Sequence, residues 1–173
     1  IQRLSPETEI GLIGELTLLR AIIDAGMPLP LAIESWVGPL DRFQDFELGT
    51  GALEVKSTLS AVGFPAKIGS LEQLDDSIRQ PLYVAGARFR QTESGHNLPE
   101  SVGAMRMKIK GDAEAERLLA ERLLSAGYID MHADHYPRKF ELAGTRIVQV
   151  EGSFPRITLG SVPSGVLRAM YEI

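Results

Sequence analysis

Cysteine is absent from the 173-residue chain. That removes disulfides, thiolate zinc sites and cysteine nucleophiles together, and fits a reducing compartment. Any metal must then sit on carboxylate, imidazole or backbone oxygen. No apolar run approaches the ~20 residues of a membrane-spanning helix, and no basic start followed by an apolar block reads as a signal peptide. The expectation is a cytoplasmic protein with no membrane partner. Positive charge is scarce: 18 Lys and Arg against 23 Asp and Glu leave a net charge of -5. A surface coated for nonspecific nucleic-acid binding is thereby excluded, and any nucleic-acid enzyme of this charge needs local basic patches. Also missing are a nucleophile elbow for Ser/His/Asp hydrolysis and a phosphate-cradling Gly-Lys-Ser/Thr loop, so ATP would have to come from a partner. Of three histidines, His132 and His135 stand three apart without a further ligand cluster, which reads as a surface loop rather than zinc. Numbering opens at Ile1 without Met, so the chain is expected to be part of something longer.

What is present, 44% hydrophobic and 24% charged residues, suffices for one compact domain with a real core. Ser5-Pro6-Glu7 starts a helix whose Leu12, Leu16, Leu19 and Ile23 repeat at helical spacing until Gly26 ends it. A short helical stretch over 31–36 leads through Gly38-Pro39 into a β-hairpin, 45–48 and 52–59, around Gly49-Thr50-Gly51. A third strand is predicted over 66–69, a helix over 70–78 and a fourth strand over 82–89. Beyond a polar loop over 92–97 come helices over 99–107 and 113–125, closed by Gly127, and strands over 140–142, 147–151 and 166–172. The fold class is therefore α/β: a core of helix, three strands, helix, strand over 1–98, with a mixed sheet flanked by helices, and an α+β extension over 99–173 packed on it.

Chemistry concentrates in Asp45-Phe46 followed after the turn by Glu54-Val55-Lys56. Residues two apart on a strand share a face about 6–7 Å apart, so Glu54 and Lys56 flank one site while Val55 faces away. With Asp45 on that face, two carboxylates can hold a hard divalent cation and the lysine can orient or deprotonate water, the set that phosphodiester hydrolysis needs. Register decides. A three-residue Gly49-Thr50-Gly51 loop puts Asp45 opposite Val55, whereas a two-residue Gly49-Thr50 turn puts it opposite Glu54. Type II′ takes Gly at its first central position, while Thr50-Gly51 as type I′ would force a β-branched residue to positive φ, so the Gly49-Thr50 turn is favoured. Against this stands a solvated strand face with a surface Lys-Glu pair, because about one acidic-x-Lys triplet is expected by chance in such a chain.

The blocks Gly11-Leu12-Ile13-Gly14-Glu15-Leu16, Trp36-Val37-Gly38-Pro39-Leu40, Gln44-Asp45-Phe46-Glu47-Leu48, Glu54-Val55-Lys56-Ser57-Thr58 and Ser70-Leu71-Glu72-Gln73-Leu74, with Pro81-Leu82-Tyr83, Phe154-Pro155-Arg156 and Tyr171-Glu172, resemble a bacterial PD-(D/E)XK, restriction-endonuclease-like family over nearly the whole chain. The resemblance implies metal ligation by Asp45 and Glu54, with Lys56 as the catalytic lysine and Mg²⁺ or Mn²⁺ as cofactor. Gln44 stands where the strict motif has proline. In related nucleases a first-helix acid completes the metal shell, which points to Glu15; the competing reading is a buried glutamate paired with an arginine. Exonuclease-type members carry a glutamine after the lysine strand, which points to Gln73, although Ser70-Leu71-Glu72-Gln73 is also a capping box.

For DNA, Arg79, Arg88, Arg90, Arg106, Lys108 and Lys110 form a candidate phosphate patch, with Arg138, Lys139 and Arg156 from the extension; a solvated face is the ordinary explanation for any one of them. The resulting expectation is a metal-dependent endodeoxyribonuclease of a restriction or phage-defence locus, working with DNA and with an ATPase or methyltransferase partner, and admitting a homodimer. The alternatives are a catalytically inactive scaffold of the same fold that binds DNA or protein, and a hydrolase acting on RNA or another phosphodiester.

Overall fold

The computed structural model describes residues 2–173. Helix α1 spans Pro6–Asp24, with Ser5 Oγ accepting from the Thr8 amide at 3.1 Å and Pro6 in the first turn. Gly26, at φ 106°, takes the left-handed conformation just past its end. Leu12, Leu16 and Leu19 bury one stripe of α1. Helix α2 covers Leu29–Ser35, and the hairpin follows as β1, Phe46–Leu48, and β2, Gly51–Thr58. Leu48 pairs with Gly51 and Phe46 with Leu53, so the turn is the two-residue Gly49-Thr50 one, with Gly49 at φ 57°.

The main sheet runs β1-β2-β4-β5, where β4 is Leu82–His96 and β5 is Phe140–Gln149. Strands β2 and β4 are parallel and the other two pairings antiparallel, which makes a mixed α/β sheet of restriction-endonuclease-like kind. One face carries Leu53, Val55, Ala85, Ala87 and Phe89 against the buried stripes of α1, α2, α3 (Leu98–Lys108) and α4 (Ala113–Ser125). The other face carries Ala52, Leu82 and Val84 under a smaller cluster with Ile68, Leu74 and Val150.

Five local expectations are corrected. Segment 66–69 forms only β3, Lys67–Ile68, which joins no edge of the main sheet and pairs with β6, Tyr171–Glu172, the only strand formed within 166–172. No helix forms over 70–78. Distant side chains claim its carbonyls: Gln44 Nε2 donates to Glu72 O and Gln73 O at 3.0 and 3.2 Å, and Arg156 Nη1 to Leu74 O at 3.1 Å, while the Asp75 amide makes a single turn back to Glu72 O at 3.1 Å. Asp75 Oδ1 further accepts from the Ser77 amide. Finally, 92–97 is no loop, because β4 continues to His96 across a bulge, and the two short strands over 140–142 and 147–151 are one strand, β5.

Candidate active site

Strand β1 is only three residues long, so beyond Leu53 the edge of β2 loses its partner and its amides need another acceptor. Asp45, one residue before β1, supplies it: Oδ2 accepts from the Val55 amide at 2.8 Å. Extending the register by one residue sets Asp45 opposite Glu54. The backbone is locked here as well, since Asp45 O accepts from the amides of Val37 and Gly38 at 2.8 and 2.9 Å. Gly38 has no room for a side chain: a Cβ would fall 2.7 Å from Asp45 Oδ1 and 3.4 Å from Glu15 Oε2.

Glu15 comes from α1, which crosses β2 closely because Gly14 faces Ser57; a Cβ on Gly14 would meet Ser57 Oγ at 2.0 Å. Its Oε2 accepts from the buried Trp36 indole at 2.6 Å, and its carboxyl lies within hydrogen-bonding reach of Asp45. Glu54 is 3% exposed, on the sheet face opposite Val55, with Oε1 3.1 Å from Lys56 Nζ. The Lys56 ammonium also donates to Gln73 Oε1 at 2.9 Å. That same oxygen accepts from the Gly69 amide at 2.9 Å, so Gln73 caps no helix and instead fixes the lysine.

Three carboxyls around one ammonium leave excess negative charge in a poorly hydrated place. Burial, and then the Asp45 charge, pushes Glu15 up to about 8. Burial raises Asp45, opposed by the Val55 amide. Burial and then Asp45 raise Glu54 well above the usual carboxylate range. Glu15, at about 8, keeps its proton at neutral pH, which eases the repulsion between it and Asp45.

Among the described residues, no three His, Asp or Glu side chains are drawn together closely enough to hold a metal ion as they stand. The donor chemistry nevertheless fits a hard divalent cation. All three groups are carboxylates, each with one oxygen engaged by a named donor, and the proton that links Glu15 to Asp45 would leave on cation binding. A cation would take over as the neutralising charge among them.

Most of the residues expected to form the basic patch have partners within the chain. Arg79 donates to Gly49 O and Gly51 O, bracing the hairpin turn; Arg90, Arg106 and Lys108 pair with Glu141, Asp130 and Asp24. Arg88 donates to Ala61 O, whereas Lys110 is exposed. From the extension, Arg138 pairs with Glu9, Lys139 lies 3.9 Å from Glu100, and Arg156 pairs with Asp76. Sequence reasoning missed Trp36 and Gln44 as groups that position Glu15 and the Gln73 segment. The signal for Trp36 was its place beside Gly38-Pro39 as the single tryptophan; for Gln44 it was an amide directly preceding Asp45.

A family model described as "Putative PD-(D/E)XK family member, (DUF4420)" matches residues 1–173. No curated protein and no solved structure matches the chain.

Proposed function

Because the chain belongs to this PD-(D/E)XK family, we propose that it is a metal-dependent endodeoxyribonuclease that hydrolyses DNA phosphodiester bonds with Mg²⁺ or Mn²⁺. Its setting, from the family resemblance, is a restriction or phage-defence system with an ATPase or methyltransferase as partner. The observation that carries the activity is the meeting of Glu15, Asp45, Glu54 and Lys56 at the open edge of β2, each held by a separate contact.

When bound, the cation supplies charge neutralisation at the phosphate and a more acidic water. Asp45 and Glu54 are its principal ligands, with Glu15 completing the carboxylate set from α1. The Val55 amide and the Trp36 indole each hold one oxygen of Asp45 and Glu15 and so orient these two carboxylates. Lys56 Nζ, held by Gln73 Oε1, donates to the attacking water or to a phosphate oxygen and hands over or receives a proton there.

Supercoiled plasmid incubated with Mg²⁺ or with EDTA tests the proposal, with Lys56→Ala in parallel. Nicking or linearisation is expected only for the wild type with Mg²⁺. One observation favours the scaffold reading: the carboxylates do not stand close enough to hold an ion unaided. DNA binding without cleavage in any divalent metal would establish that reading.

A further inference from the structure

We infer that the cleft beside Lys56 seats one unpaired nucleotide of the substrate strand, with its base against Phe64 and a phosphate on Arg146. The inference rests on the nuclease reading for the identity of the strand, and it specifies the substrate class as single-stranded or locally opened DNA.

The argument begins with register. Lys56 pairs with Gly86, and Gly86 with Arg146, so the three side-chain positions form one row across β2, β4 and β5 on the face that carries Glu54. Two strand spacings, ~9–10 Å, separate the Lys56 and Arg146 backbone positions. Between them the row has no side chain of its own, because Phe64 lies on Gly86; a Cβ there would fall 2.8 Å from Phe64 Cδ1. The Arg88 guanidinium, 5.6 Å from the ring centroid and bonded to Ala61 O, holds the ring in place. The resulting cleft, about 310 Å³, is lined by Lys56, Phe64, Gly86, Arg146, Val148 and Phe154 among others.

Its chemistry selects the occupant. The volume lies at the lower end of the ~300–1,000 Å³ typical of ligand pockets, which suits one base and not the width of a duplex. An apolar, aromatic interior takes a base's flat face, and cations at the rim take the strand's phosphates. Arg146 is exposed and has no ion pair or hydrogen bond among the described residues, whereas Arg90, Arg106 and Lys108 are each paired with a carboxylate. In a chain of net charge -5, an unpaired arginine in the same row as Lys56, two strands away, is free for an anionic ligand. A purely apolar partner would leave Arg146 without a counter-charge. A base still stacked in duplex cannot enter.

Fluorescence anisotropy in EDTA, which reads binding without cleavage, tests this with a fluorescein-labelled oligodeoxynucleotide and the same sequence as a blunt duplex. The wild type is expected to bind the single strand more tightly. Phe64→Leu, which keeps bulk over Gly86 but loses the flat face, should weaken single-strand binding about tenfold and leave duplex binding unchanged. Arg146→Ala, at an exposed position, should lower the single-strand salt slope by about 0.7. Equal affinity of the wild type for both forms, an unaffected Phe64→Leu whose melting temperature matches wild type, or an unchanged slope for Arg146→Ala would each overturn the seat. A wild type that binds the single strand as described yet never cuts plasmid overturns the nuclease reading alone; a cutting enzyme indifferent to both substitutions overturns the seat alone.

Discussion

The Lys56 ammonium donates to Gln73 Oε1 at 2.9 Å, and Gln73 reaches it from a segment with no helix to hold it. Gln73 is instead held by its second bond, from the Gly69 amide, and by Gln44 gripping the carbonyls of Glu72 and Gln73. Gln73→Ala removes one charge-assisted hydrogen bond, so cleavage should fall about tenfold, the equivalent of ~1.4 kcal/mol. Single-turnover rates at saturating Mg²⁺, with DNA affinity measured in Ca²⁺, read this out. A drop in affinity at constant rate would place Gln73 in DNA binding instead.

Lys56→Arg keeps a positive charge but replaces a compact donor with a broad fork that stays protonated at any working pH. DNA and metal binding should be close to wild type while cleavage slows by ~100-fold or more. A variant cutting at the wild-type rate would remove Lys56 from the chemistry.

Metal binding should release protons, because Glu15, Asp45 and Glu54 all hold protons to higher pH than ordinary carboxylates. Mn²⁺ affinity is therefore expected to rise with pH. Calorimetric titration in two buffers of different ionisation enthalpy would count the protons. Asp45→Asn and Glu54→Gln should each weaken binding at least about tenfold without loss of fold, since neutralising one carboxylate relieves repulsion.

Stability without metal carries a sign that Glu15 determines. Its pKa rises from 4.5 to about 8 on folding, so between those values the folded protein keeps a proton that the unfolded chain has released. The contribution is full below the unfolded value and is lost as pH rises through about 8. In EDTA, warming scans from about pH 6 to about pH 9 should therefore show a larger fall in melting temperature for the wild type than for Glu15→Gln, and the variant should be the more stable at the alkaline end. Parallel profiles would show that Glu15 titrates normally.

Gly38→Ala tests the close approach of the 37–38 backbone to the site. The added methyl would lie 2.7 Å from Asp45 Oδ1 and 3.2 Å from Asp45 Cα, so the carboxylate must move. Metal affinity should drop about as far as in Asp45→Asn, and overpacking should cost ~1–3 kcal/mol on urea unfolding.

How much of this the sequence revealed depends on whether the deciding contacts were local. The hairpin register was legible because a single turn decides it, and only Gly49 suits the positive φ that a two-residue turn needs there. From that register followed the placement of Asp45 opposite Glu54. Residues 70–78 were misread because the pattern is a sound capping box, whereas the contacts that decide come from Gln44 and Arg156, 28 and 82 residues away from their acceptors. Likewise the polar run 92–97 looked like a loop, yet Gly95 presses against the Phe140 backbone and carries β4 on to pair with β5. The partners of the basic residues were hidden for the same reason: composition shows the charges but not that Glu141, Asp130 and Asp24 pair with three of them.

Trp36 has a further consequence. It is the single tryptophan of the chain, fully buried, with its indole N–H on Glu15 Oε2. Every photon of tryptophan emission therefore originates one hydrogen bond from the carboxylates. A change in the charge of Glu15, by deprotonation or by a neighbouring cation, alters the field along the indole and should shift its emission. The protein thus carries its own optical probe, by which protonation and ion occupancy can be followed in stopped flow without a label.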